Sequence, residues 1–327
     1  MSRQRATAFV PGHVTAFFSA HPAERPAAAG SRGAGLALTD GVTVRVSAAG
    51  TETDGSGTAD PAAHGSQTAD LPTDGDAGSR AIDGEPGTIG AVEDVLAELG
   101  AAGGAGDADE VPVDVAVETD LPIGAGFGVS GAAALGAALA ANDALDRGRS
   151  ENELVRTAHE AEVNRGTGLG DVVAQARGGV PIRVTPGAPG VGKLDGIPAV
   201  GRVEYVTFGE LSTEAVLGGD TTALSAAGEA ALDRLRADPR LPTLMAAARD
   251  FAGEADLLVP EVAEAIDAVA EANGGSGGAA DGPGAAMAML GRTVFALGTG
   301  LSDAGYDPRV CRIDAAGARL AGDRNRE

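Results

Sequence analysis

Lysine is all but missing from this 327-residue chain: Lys193 stands alone beside 23 arginines, against 47 aspartates and glutamates, for a net charge of −23. That balance excludes nucleic acid as a partner, because binding a polyanion needs a basic face that releases counterions. Tryptophan is absent and the other aromatics are few. Cys311 is the only cysteine, which excludes an internal disulfide and a cysteine metal cluster; it is expected to pack in a late strand, RVCRI. No apolar run approaches membrane-spanning length, and the opening MSRQRATAFVPGHV lacks the long apolar segment of a signal peptide. No membrane partner and a cytoplasmic location are the expectation. The acids are spread along the chain with no long run, so they read as a general solubilising cover suited to a high-salt cytoplasm, not as a patch for one partner.

What is abundant is glycine, 51 residues in all. The most informative stretch is LPIGAGFGVSGAAALGAALA, Leu121 to Ala140, where a glycine-rich turn bearing one serine runs into an alanine-rich helix. Glycines 124, 126, 128 and 131 let the backbone approach an anion closely, and the free N–H groups of the helix point at it. Upstream, VPVDVAVETD alternates valine with polar residues and reads as a strand. Strand, glycine loop and helix together make a phosphate cradle.

Spacing separates the nucleotide motifs that compete for this loop. Gly126, Gly128 and Gly131 satisfy G-x-G-x-x-G, but the dinucleotide fingerprint needs a second strand ending in an acid about 20 residues on. Instead the chain turns at DRGRS and starts another helix, ENELVRTAHEAEV. GAPGVGK, Gly187 to Lys193, matches the first seven positions of the Walker A pattern. Leu194 then replaces the hydroxyl residue and no helix follows, so it reads as a Gly/Pro turn.

At 327 residues the chain is long enough for two lobes with one site between them. Residues Gly50 to Gly87, with Leu71 and Ile82 as their only large aliphatics, read as a mobile surface insertion in which His64 is solvated. GLALTDGVTVRVS reads as a strand or hairpin, GTIGAVEDVLAEL as a helix and GRVEYVTFG as a strand. Helices are expected from Thr221 to Arg236, Thr243 to Ala255 and Pro260 to Asn273. MAMLGRTVFALG reads as helix-like and RVCRIDAAGARL as strand-like. The class is α+β.

Several residues in this framework have the chemistry for phosphoryl transfer, which needs a triphosphate seat, a bridging metal and a group that orients the attacking hydroxyl. Ser130 can offer its hydroxyl to metal or phosphate, or cap the helix. On the helix of ENELVRTAHEAEV, 100° per residue puts Leu154, Val155, Ala158 and Ala161 on one apolar face. Glu162 falls within that face, His159 at its edge, and Glu160 nearly opposite. A carboxylate turned inward needs a cation or hydrogen bonds, which makes Glu162 the metal-ligand candidate with Ser130. Asp171, at the end of GTGLGD, either presents its carboxylate in a cleft or caps the helix of DVVAQA. Arg183, with Arg177 as competitor, carries the planar guanidinium that makes the strongest contact to a carboxylate.

The motifs together resemble the GHMP small-molecule kinases. Pro122, Gly124, Ala125, Gly126, Gly128, Ser130 and Gly131 resemble that family's second signature, VPGHVTAFF at Val10 to Phe18 its first, and AMAMLGRTVFALG its third. Within it the archaeal pantoate kinases are most similar, through PGHVT, SRGAG, AHEAEV and GTGLGDVVAQ. The resemblance implies a two-lobed fold with a nucleotide-binding lobe over residues 1–195, carrying the 50–87 insertion, and a ferredoxin-like lobe over 196–327. It also implies ATP and Mg²⁺, pantoate as a small-molecule substrate in coenzyme A biosynthesis, and a possible homodimer. Asp171 falls where related kinases have their catalytic base; Ser31, His159 and Arg183 form the implied substrate shell. His13, in the first signature, is placed to contact nucleotide or brace the loop. Glu160 stays open as a metal ligand, since its spacing to Asp171 is nearer that of mevalonate kinase. Ala16 replaces a usual glycine, and the third signature lacks the family's dense glycine cluster. Another small alcohol, such as mevalonate, homoserine or shikimate, and a non-catalytic nucleotide sensor are the alternatives.

Overall fold

The computed structural model describes residues 4–49, 78–101, 111–209, 221–274, 284–288 and 292–322. His64 lies outside them. The frame is a long antiparallel pair, β1 (Arg5–His21) and β2 (Gly30–Ala48), in register from Arg5↔Ser47 to His21↔Gly30. GLALTDGVTVRVS is thus one strand, not a hairpin. The ladder slips between Pro11 and Gly12 and between Thr15 and Phe17; the first slip accommodates a proline, which cannot donate to a ladder.

Around this pair an eight-stranded sheet is built. β3 (Arg80–Ile82), β4 (Glu85–Pro86) and β5 (Val113–Thr119) extend it beyond β2, with β3 running parallel to β5. Residues 80–86 were expected within a mobile insertion. They are strands instead, because β5 supplies a ladder that short polar segments can join without an aliphatic core of their own; the rest of that insertion up to residue 77 lies outside the described residues. β6 (Val180–Thr185) branches from β2 at Gly33 and Ala34 and carries β7 (Lys193–Ile197). The helices α1 (Gly90–Glu98), α2 (Val129–Ala144), α3 (Glu151–Arg165) and α4 (Asp171–Arg177) cover one face. Alanines at 132, 133, 134, 137, 138, 140 and 141 are fully buried, so α2 lies close against Val10, Val44 and their neighbours. Burying these methyl groups takes apolar surface out of water, at about 25 cal/mol per Å².

The second sheet joins β8 (Arg202–Thr207), β9 (Ala285–Ala288), β10 (Thr293–Leu297) and β11 (Arg309–Arg312) in the antiparallel order β11-β8-β10-β9. Counted within the lobe that order is 4-1-3-2, the ferredoxin-like arrangement. α5 (Thr222–Ala237), α6 (Leu241–Glu254) and α7 (Pro260–Ala272) lie between β8 and β9, and α8 (Gly300–Asp303) between β10 and β11. The expected helix in MAMLGRTVFALG is corrected to the paired strands β9 and β10. Ala285 to Ala288 and Thr293 to Ala296 are all buried, and strands covered on both faces lose the alternation that would reveal them. Cys311 is buried on β11, as expected. The last strand, β12 (Arg319–Ala321), returns to pair with β1 in the first sheet, and a single apolar cluster spans both lobes from Val10 to Phe295. Among the described residues no helix is long and apolar enough to cross a membrane.

Candidate active site

The loop between β5 and α2 is held by its carbonyls. Ala125 O accepts from Thr293 Oγ1 of β10 at 3.0 Å, Phe127 O from the His13 N–H at 2.9 Å, and Gly128 O from Gln175 Nε2 of α4 at 2.9 Å. With these acceptors turned into the protein, the loop's N–H groups are what remains for a ligand. Gly128 is the N-cap of α2 in the left-handed region at φ 64°; a Cβ there would sit 2.9 Å from Gln175 Nε2, so both backbone and space require glycine. The first turn of α2 has neither a side-chain cap nor an acidic residue, which leaves the positive end of its dipole for an outside anion. Pro122 stands at the loop's other end, in the wall of a cavity of about 400 Å³ with Thr119, Tyr205 and Thr207.

Ser130 is not the N-cap that one reading of the sequence allowed. It is the second residue of α2, and its hydroxyl donates to Glu162 Oε1. Glu162 is 3% exposed, as its place on the apolar face of α3 requires, whereas Glu160 lines a separate pocket with Asp94 and Glu98. Burial pushes the Glu162 carboxyl up to about 7, against the hydrogen bonds from Ser130 and Thr167. Its second oxygen faces Gly131 and Gly168: a Cβ on those glycines would lie 3.7 and 2.6 Å from Oε2. Among the described residues no three His, Cys, Asp or Glu side chains form a metal cage. One carboxylate and one hydroxyl beside the glycine loop could instead serve as the sparse oxygen set of Mg²⁺, an ion that keeps several waters.

Asp171 is the first residue of α4, whose N-cap is Gly170, so the capping alternative does not apply. Its Oδ1 accepts from His13 Nδ1 at 2.8 Å and from the Thr15 hydroxyl at 3.3 Å. Burial alone would raise the Asp171 carboxyl; the His13 bond, the Arg183 charge and the Thr15 hydroxyl hold it below the usual carboxylate range. Burial pushes His13 below its ordinary value, so a neutral imidazole donates through Nδ1 and keeps Nε2 unprotonated, buried and without a partner. His13 thus braces both the Asp171 carboxylate and, through its backbone N–H, the glycine loop.

Arg183 and Ser31 meet beside Asp171. A Cβ on Gly170 would lie 2.5 Å from Ser31 Oγ and 2.9 Å from Arg183 Nε. Arg183 is 2% exposed, and its Nε and Nη1 have no hydrogen-bond partner. Arg177, its competitor, lies against Gly196 and donates to the Gly178 carbonyl. His159 is buried on α3 and donates from Nε2 to Ala29 O at 2.9 Å, which ties α3 to the turn leading into Ser31. Thr15 and Gln175 were missed by sequence reasoning. Both carried a signal: Thr15 is two residues from His13 on a strand, and Gln175 is four from Asp171 on a helix, so each shares a face with a residue already singled out.

Comparison with known proteins bears on this constellation. A family model described as the GHMP kinases N terminal domain matches residues 88–179, the span that contains the glycine loop, Glu162 and Asp171. The chain is 36% identical over 298 residues to the pantoate kinase of Thermococcus kodakarensis, covering 89% of this chain and 86% of that protein. It is 30% identical over 302 residues to the pantoate kinase of Methanospirillum hungatei, covering 91% and 89%. A solved structure described as a phosphotransferase related to the CoA biosynthesis pathway superposes with a TM-score of 0.74 at 29% identity, covering 97% of this chain and 98% of that one.

Proposed function

This chain belongs to the GHMP kinases as a homologue of the archaeal pantoate kinases and is an ATP-dependent phosphotransferase; we propose that its acceptor is pantoate, phosphorylated at its primary hydroxyl to 4-phosphopantoate for coenzyme A biosynthesis. The observation that carries this reading is the Arg183 guanidinium, buried with two unpartnered nitrogens beside Ser31 and Asp171. Buried guanidinium nitrogens without hydrogen-bond partners are expensive, and the carboxylate of a small hydroxy acid is a planar anion that matches them. The acid would then lie with its hydroxyl toward Asp171.

In this reading residues 1–195 form the nucleotide lobe and 196–327 the second lobe. The N–H groups of Gly124 to Ser130 seat the triphosphate, Ser130 and Glu162 hold Mg²⁺, and His159 fixes the Ser31 turn. Bound Mg²⁺ supplies neutralisation of charge on the phosphate oxygens. The acceptor oxygen bonds to the γ-phosphorus, the bond to the β-phosphate oxygen of ADP breaks, and the hydroxyl proton passes to Asp171. A carboxylate held low is a weak base, which suits a loose transition state: Asp171 orients the hydroxyl first and takes its proton late. The acid-rich composition supports operation in concentrated salt.

The deciding experiment supplies purified protein with ATP, Mg²⁺ and a panel of alcohols and follows ADP. Pantoate is expected to be used with the highest kcat/KM. Preference for mevalonate, homoserine or shikimate would replace pantoate, and no ADP with any alcohol would favour a nucleotide sensor.

A further inference from the structure

A second polar cluster sits at the tip of the β1–β2 pair, apart from the residues assigned above. Glu229, on α5 of the second lobe, accepts from the Ser19 hydroxyl, from Arg32 Nη1, and from His21 Nε2 at 3.0 Å; His21 Nε2 is also 2.9 Å from Ser19 Oγ. One turn earlier on α5, Ser225 Oγ accepts from the Ala20 N–H at 3.1 Å. Arg32 also donates from Nε to the Val184 carbonyl at 3.0 Å. Ser19 is fully buried, while Arg32 and Glu229 are partly so.

The register explains what this cluster touches. Ala20 pairs with Ser31 and Ser19 with Arg32, so α5 anchors the strand directly opposite Ser31. Arg32 follows Ser31 in the chain, and Val184 follows Arg183. One guanidinium therefore ties together the two segments that carry the acid-binding side chains, and its counter-charge comes from the other lobe. Strand alternation turns Arg32 to the face opposite Ser31, so it acts through the backbone and not on substrate. A bare surface ion pair contributes little, but Arg32 uses two nitrogens on two different elements, and that sets a distance.

We propose that Arg32 and Glu229 are positioning residues for the acid-recognition end of the site, fixing the spacing of Ser31 and Arg183 and letting α5 set affinity for the substrate acid. This rests on the reading that Ser31 and Arg183 hold a substrate carboxylate.

The test uses the full chain with Glu229→Gln and, separately, Arg32→Lys, which keeps the charge but cannot span Val184 O and Glu229 at once. KM for pantoate should rise about tenfold, the scale of a mispositioned contact, with kcat, KM for ATP and melting temperature close to wild type. An unchanged pantoate KM, or an equal rise in KM for ATP, would overturn the proposal. Amide hydrogen exchange of wild type and Glu229→Gln provides a readout independent of substrate identity. Faster exchange confined to residues 30–33 and 183–185 is expected, and unchanged exchange there would sink the clasp. If wild type does not use pantoate but that local exchange change is seen, the substrate assignment fails while the clasp stands. Should Glu229→Gln not fold, Ser225→Ala removes only the Ala20 anchor and is expected to give the same KM effect in smaller measure.

Discussion

The two ends of the site are made of different material. In the proposed reading the phosphate end is backbone: a loop whose carbonyls are pinned by Thr293, His13 and Gln175, leading into a helix whose first turn has no side-chain cap. The proposed acid end is side chain: Arg183, Ser31 and Asp171, drawn from β6, β2 and α4 and brought together by long-range contacts. Backbone donors are fixed once the fold is fixed, and their loss needs a change of conformation. Side-chain donors are lost one atom at a time. Substitutions should therefore separate the ends cleanly by which substrate they affect.

The largest break is expected at the acid end. Asp171→Asn should lower kcat by about 10²–10⁴-fold, the usual worth of a positioned general base, with ATP affinity retained; near-normal turnover would remove Asp171 from the mechanism. Arg183→Ala should raise KM for pantoate by roughly 10²-fold and leave KM for ATP nearly unchanged, since truncating one side of a buried charge pair costs about 2–5 kcal/mol. Equal effects on both substrates would contradict the carboxylate role.

Between the ends lies Glu162. Its carboxyl is raised to about 7 in the fold, so the folded protein holds a proton that the unfolded chain releases at the ordinary carboxylate value. The stability this contributes is full below the unfolded pKa and is lost as pH rises through about 7, roughly 3 kcal/mol in all at 1.36 kcal/mol per unit. Urea unfolding of the metal-free protein and of Glu162→Gln should therefore diverge between pH 5 and 8, with wild type losing ground as pH rises. Parallel curves would refute the shift. The smallest effect is expected at the proposed phosphate end: Thr293→Val removes the hydrogen bond to the Ala125 carbonyl and the one shared with the Thr207 hydroxyl, each worth about 1 kcal/mol, and should raise KM for ATP a few fold while sparing that for pantoate. Steady-state kinetics with each substrate varied would show it, and a change in pantoate KM instead would blur the division between the ends.

The same division governs how much the sequence discloses. The glycine loop is local, so its spacing, the strand before it and the helix after it are legible without knowledge of the fold. Glu162 is legible too, because helical geometry alone turns it inward and Glu160 outward. The partners of Asp171 are not: His13 and Thr15 lie 158 and 156 residues away, and nothing in the local pattern of β1 says that α4 will cross it. The Arg32–Glu229 contact spans 197 residues and is equally silent. The hairpin of β9 and β10 is misread for another reason, since complete burial erases the period that distinguishes strand from helix. Residues 80–86 look too polar to order because their stability is borrowed from the edge of β5.

The return of β12 to β1 gives the molecule a topology that division into two consecutive lobes hides. Everything from β8 to β11 is spliced into the first sheet, entering after β7 and leaving before β12. A lobe attached at one point swivels freely; one attached by two crossings has an axis. Thr293 and Glu229 both lie within this spliced segment, and the apolar cluster shared by the two lobes packs it against the first sheet. The brace of the glycine loop by Thr293 and the clasp of Arg32 by Glu229 therefore come from one continuous insertion, held at both of its ends by strands of the same sheet.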